Sequence, residues 1–185
     1  MSTGCVAAGV LLFGAAPLPA WAEAASAQKI ATDSRETLAK LYAHSAKGRE
    51  LGARARAILV FPRIVKVGLL VGGQGGQGVL IAGVTGEATA FYEIFSASFG
   101  LQAGAQTFSY VLFFITESAL DDLKKNDNWV IGGGPSVVVV DQDMAETLNT
   151  ATLTQDVYAI PFGEHGLMAG LDLEGSKITR IHPKP

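Results

Sequence analysis

The sequence is poor in the residues that carry most covalent and metal chemistry. Cysteine occurs once, at Cys5, so downstream of it there is no thiol nucleophile and no disulfide to build. The nucleophile motif G-x-S-x-G is absent. Histidine is restricted to His44, His165 and His182, with no paired spacing of the kind a metal needs. In polar surroundings, close carboxylate pairs are confined to Asp121 with Asp122 and Asp141 with Asp143. Adjacent positions on a helix point apart, the second pair falls in a polar connection, and both pairs are read as solvated surface. An enzyme is not expected, nor a cofactor.

Charge is also sparse. Asp, Glu, Lys and Arg make up 17% of the chain against 49% hydrophobic residues, a balance that excludes disorder away from the ends. Glycine, by contrast, is plentiful: 22, against seven prolines. The glycines follow no short period and no internal repeat is present, which excludes a collagen-like or low-complexity chain. A length of 185 residues suits one domain with its own hydrophobic core.

The most apolar stretch lies at the start. "VAAGVLLFGAAPLPAWA" leads to a small-x-small pattern, Ala20, Trp21 and Ala22, followed by Glu23. This predicts a signal peptide over residues 1–22, cleaved after Ala22. No Lys or Arg precedes the apolar core, which suggests a native start upstream of Met1. As a membrane anchor the run is too short and too interrupted by proline. "STGC" resembles the end of a lipoprotein signal, but there the apolar stretch precedes the cysteine, and here it follows Cys5.

The rest of the chain is electrically split. Residues 23–66 carry nine Lys and Arg against four acids, a net of +5, whereas residues 67–185 carry five against thirteen, a net of −8. A basic leading segment on an acidic body suits contact with an anionic surface. The alternative is that the two halves neutralise each other in the fold.

Apolar residues at three- and four-residue spacing predict a helix from about Asp33, capped by Asp33 or Ser34, to about Lys47. Gly48 and Gly52 then impose a break or a second short helix. After Ala57, "AILVFP", "KVGLLVGG", "GVLIAGV" and "EATAFYEI" read as consecutive antiparallel strands. In "FGLQAGAQTFSYVLFFIT", Phe108, Tyr110, Leu112 and Phe114 share one face while Val111, Phe113 and Ile115 occupy the other, so this strand is buried on both sides. Gln102 and Gln106 there are expected to hydrogen-bond inside the fold or to line a pocket. "TESALDDLKKND" predicts a short helix capped by Thr116, with Ala119, Leu120 and Leu123 inward and Lys124 and Lys125 complementing its dipole. "WVIGGGPSVVVVD" returns to strand, a polar connection follows Asp141, and two or three strands close the chain with turns near Gly163 to Gly166 and at Gly175.

Gly73, Gly75 and Gly78 satisfy the dinucleotide fingerprint G-x-G-x-x-G. That loop works only where a helix begins at the last glycine and its N-terminus holds the pyrophosphate. Here "VLIAGVTGEATAFYE" follows, too rich in valine, threonine and glycine for a helix. Neither a nucleotide nor a nucleic acid is expected as partner. The glycines are read instead as a hairpin turn and as places of close backbone approach.

Four blocks carry a family resemblance: "ARAILVFPRIVKVGLLVGGQGGQGVLI", "FYEIFSASFGLQAGAQTFSYVLFFIT", "ESALDDLKKNDNWVIGGGPSVVVV" and "DVYAIPFGEHGLMAGLDLEGSKI". In that order the chain, over residues 37–181, resembles the SYLF domain, also called the Ysc84 actin-binding domain. The resemblance implies phospholipid binding, with phosphoinositides and actin as partners in eukaryotic members and a basic amphipathic leading segment associated with the membrane. Bacterial relatives are secreted or lipid-anchored. A secreted chain meets no cytosolic actin, and its lipid would be an anionic phospholipid such as phosphatidylglycerol or cardiolipin. Residues 23–185 are thus expected to form a single SYLF-like domain of the α+β class. Its N-terminal helix would pack on a mainly antiparallel, glycine-rich sheet or half-barrel, with one further short helix.

The candidate lipid-binding residues are Arg54, Arg56, Arg63 and Lys66. They flank the first strand, ahead of a nearly charge-free core, and each cation near an anionic membrane contributes on the order of 1 kcal/mol. The alternative is a strand edge guarded by charge. The leading helix is expected to dock on the sheet rather than lie on a membrane. The expected function is a non-enzymatic lipid-binding module of the bacterial envelope, periplasmic and membrane-associated. The alternative is an envelope structural or protein-interaction domain without lipid binding. A small outer-membrane barrel fits poorly, because several strands are apolar on both faces and the chain ends in "HPKP".

Overall fold

A computed structural model describes residues 25–68, 71–83, 85–99, 104–141, 148–149, 153–163, 166–167 and 175–185. The expected leader, Gln102, His165 and most of the connection after Asp141 lie outside the described residues.

The first helix, α1 (Ala27–His44), begins earlier than the sequence reading placed it. Ser26 keeps an extended backbone and its hydroxyl accepts from the Lys29 amide at 3.2 Å. With no breaker in the alanine-rich stretch that follows, this upstream cap takes precedence. Asp33 instead pairs with Lys29 at 2.7 Å, and the buried Ser34 donates to the Val60 carbonyl at 3.3 Å. Ser45 leaves the helix with φ −129° and ψ 110° and caps α2 (Ala46–Arg54), accepting from the Gly48 amide at 2.9 Å. The expected break is therefore a second helix.

The strands are β1 (Ala57–Gly68), β2 (Val71–Ala82), β3 (Ala88–Phe99) and β4 (Gly104–Phe114). Helix α3 (Glu117–Lys125) follows, then β5 (Asn128–Val130), β6 (Val137–Val139), β7 (Val157–Gly163), β8 (Gly166–Leu167) and β9 (Lys177–Ile181). They form one sheet in the order β5-β9-β3-β2-β1-β4-β7-β6, with β8 beside β7. Every pair is antiparallel except β6 with β7. The α+β architecture with a curled half-barrel sheet is the one expected.

Two local expectations fail. "AILVFP" and "KVGLLVGG" are not separate strands: β1 runs through the first and into the second. Its register slips by one residue between Phe61 and Ile64 against β4. This bulge accommodates Pro62, which has no amide to give a central strand. Nor do Gly73, Gly75 and Gly78 make a turn, since all lie within β2. The described glycines with positive φ are Gly86, Gly132 and Gly175. A Cβ at Gly78 would strike the Val60 carbonyl and come within 2.6 Å of the Phe61 ring. The β2 glycines at this point serve close approach, the other half of the sequence reading.

Alternation along the strands separates two cores. The inner face gathers Leu59, Phe61, Ile64, Leu80, Tyr92 and Phe114 around α3, whose Ala119, Leu120 and Leu123 are buried as expected. The outer face gathers Ile58, Val60, Val79, Val111 and Phe113 under α1 and α2. Strand β4 is buried on both sides, as its sequence predicts. The curl is visible in one contact. Trp129 on edge strand β5 meets Phe114 on β4 with ring centroids 5.9 Å apart, although four strands separate them along the sheet.

Candidate functional site

The first strand begins where α2 ends, and the junction is tightly held. The Ala55 amide donates back to Leu51 at 2.9 Å, capping α2. The Arg56 amide donates to the Phe114 carbonyl at 2.8 Å, and its own carbonyl accepts from the Gly83 amide at 3.0 Å. The guanidinium stems of Arg54 and Arg56 thus start from a backbone fixed to β4 and to the β2–β3 turn. Both side chains are exposed.

They border an open recess of about 860 Å³ between this junction and α3. Its apolar lining includes Leu80, Ile115, Leu120 and Leu153, with alanines from the α2–β1 junction. Its charged rim is Arg54, Arg56, Lys124 and Glu117, all exposed. Lys124 comes from the last turn of α3, whose first turn is set by Thr116 accepting from the Ala119 amide at 3.4 Å. Arg54, Arg56 and Lys124 make no side-chain hydrogen bond or ion pair to another described residue. The neighbouring Lys125 is paired with Asp121 at 3.1 Å.

The four sequence candidates are not brought together. Arg54 and Arg56 share the recess, while Arg63 and Lys66 lie further along β1. Arg63 is exposed at the bulge, and Lys66 is half-buried in register with Gln74 and Gln106. Ten residues of extended chain set Lys66 roughly 30 Å from Arg56. Sequence reasoning assigned Lys124 only to the dipole of α3 and missed it as a rim residue. Its spacing from Glu117, seven residues on one helix face with Leu120 between, was the available signal.

Other polar groups have structural partners. The expectation of solvated surface fails for Asp122, which accepts from the Trp129 indole at 2.9 Å and from the Asn126 amide at 2.7 Å. A second recess of about 740 Å³ beside it also includes Asp156. Asp156 accepts from the Ser136 amide at 3.0 Å and from the hydroxyls of Thr116 and Ser136 at 2.9 Å each. The Ser136 amide, and then the two hydroxyls, hold its carboxyl below the usual range. Gln106 is exposed rather than internal, whereas Gln74 is buried. The Tyr92 hydroxyl is buried without a hydrogen-bond partner among the described residues, and burial pushes its titration up. Among the described residues no three His, Cys, Asp or Glu cluster as metal ligands. No described helix is long and apolar enough to cross a membrane.

The architecture is a curled α+β half-barrel with an amphiphilic open recess. Residues 95–182 match the family model described as Ysc84, Las17-binding protein actin regulator, the family of the SYLF domains. The match runs from within β3 through the end of the sheet, so it contains Lys124 and Glu117 but not Arg54 or Arg56. The family is one of actin- and lipid-binding domains. A comparison with curated proteins gives no match.

Proposed function

We propose that this chain is a non-enzymatic lipid-binding module of the bacterial envelope, contacting anionic phospholipid at the periplasmic membrane surface through its basic N-terminal side. The observation that carries this reading is the pairing, in one recess, of an apolar lining with a rim of three cations against one carboxylate. An amphiphile with an anionic head has the complementary chemistry, and the match of residues 95–182 to a family known for actin or lipid binding supports it. The test is co-sedimentation with neutral and with phosphatidylglycerol-rich vesicles across a salt series. Binding confined to the anionic vesicles and weakening steeply with salt is expected. No sedimentation with either vesicle refutes the reading.

One observation favours the alternative, a protein-interaction domain without lipid. The large apolar side chains exposed among the described residues are Val67, Phe95 and Val130, at 41%, 44% and 42%. Phe95 and Val130 flank Lys177 in one register row, and all three apolar residues lie on the outer face. A partner captured equally in high salt and without lipid would favour that reading.

A further inference from the structure

Resting on the lipid reading above, we propose that the recess between α2 and α3 is a discrete site for one phosphate group carried on an apolar body. Its cationic ligands are Arg54, Arg56 and Lys124, and Arg63 and Lys66 take no part in it.

Three observations carry this assignment. The cations come from separate parts of the chain, the α2–β1 junction and the end of α3, yet border the same space. Each lacks a side-chain partner among the described residues, whereas the adjacent cation on α3, Lys125, is neutralised by Asp121. Guanidinium forks match phosphate oxygens in pairs and an ammonium adds a point charge. The buried Leu80 and Leu120 in the lining then suit the apolar part of an ester rather than a bare ion.

The backbone gives this site no help. Helix α2 presents its C-terminal end here, where the dipole is negative and repels an anion, and α3 borders the recess along its side, from Glu117 in its first turn to Lys124 in its last. Attraction must come from the three side chains, so binding should be unusually sensitive to each of them. Glu117 opposes it: two turns before Lys124 on the same helix, it also lines the recess. Removing that carboxylate should strengthen binding, an effect opposite in sign to the loss of a cation.

The test is calorimetric titration of the full chain with three probes. These are dihexanoyl phosphatidylglycerol below its micelle concentration, glycerophosphoglycerol without acyl chains, and inorganic phosphate. Lys124→Gln and the pair Arg54→Gln with Arg56→Gln are each expected to weaken the short-chain lipid at least fivefold. Lys124→Arg should restore most of the affinity, and Glu117→Gln should tighten binding at least twofold. The pair Arg63→Gln with Lys66→Gln removes the same charge as the arginine pair and should stay within twofold of the parent chain. Affinity should fall from the short-chain lipid to the acyl-free headgroup to inorganic phosphate. Equal weakening by both charge pairs would show diffuse attraction and overturn the site while leaving the lipid reading intact. So would vesicle binding with no response to any soluble probe. Lys124-dependent binding of the soluble headgroup without vesicle binding keeps the site and overturns the lipid reading. Inorganic phosphate binding as tightly as the short-chain lipid overturns the apolar carrier.

Discussion

Gly78 and Gly73 belong to the same strand, but only one of them has no room for a side chain. A Cβ at Gly78 would meet the Val60 carbonyl and the Phe61 ring, while the nearest atom to one at Gly73 is the Ser96 carbonyl at 3.6 Å. Gly78→Ala should therefore force Phe61 out of a fully buried position and cost about 1–3 kcal/mol. Gly73→Ala should change stability by no more than about 0.5 kcal/mol, since contact there is ordinary and alanine orders the unfolded chain slightly. Urea unfolding of the two variants checks this, and equal midpoints would contradict the packing role. The sequence identified this glycine-rich stretch as special but offered two jobs for it. A glycine that supplies positive φ and one that clears space both appear only as a missing Cβ. Choosing between them needs the neighbouring strand, and Phe61 is 17 residues away.

At the scale of elements, local signals were readable and distant ones were not. Thr116 was legible as the cap of α3 because its partner, the Ala119 amide, lies three residues on. The same hydroxyl also donates to Asp156, 40 residues away, and no local pattern announces that bond. Asp156 ties the start of β7 to Ser136 before β6 and to the cap of α3, so three elements meet at one carboxylate. Asp156→Asn should cost about 1–2 kcal/mol at neutral pH, because the amide cannot accept all three donors as a carboxylate does. The group is only partly shielded, which keeps the figure at the low end. Its depressed titration fixes the direction with pH. The stabilisation is fully present above the unfolded carboxylate value, about 3.9, and is lost as pH falls through the lower folded value. The gap between parent and variant should thus be constant above about pH 5 and close in stronger acid. Thermal melts between pH 2 and 7 measure it, and a gap that widens on acidification would refute the assignment.

The whole molecule depends on long-range closure that a single strand pattern does not encode. The run of β1, β2 and β3 is legible because each pairs with the next, whereas β4 crosses to the far side of β1, a step that no local pattern announces. The sheet is completed by β9, which comes from the far end of the chain and sits between β3 and β5. The recess is legible only to the same extent. Arg54 and Arg56 stood out as a basic pair beside a strand, but Lys124 joins them only because the sheet curls around α3. That curl is held where Trp129, 3% exposed, reaches Phe114 with its ring and Asp122 with its indole N–H. Trp129→Phe keeps most of the packing but leaves Asp122 without that donor, and should cost about 1–2 kcal/mol. Trp129→Ala opens a cavity between the edge strand and the centre of the sheet, and should cost about 3–5 kcal/mol. Val130→Ala, one residue on but 42% exposed, should cost no more than about 0.5 kcal/mol. If the alanine variants at 129 and 130 unfold at the same urea concentration, β5 does not hold the sheet closed. If they differ as expected, the edge strand and α3 act as one clasp, and Lys124 is held at the rim by the closure of the whole sheet.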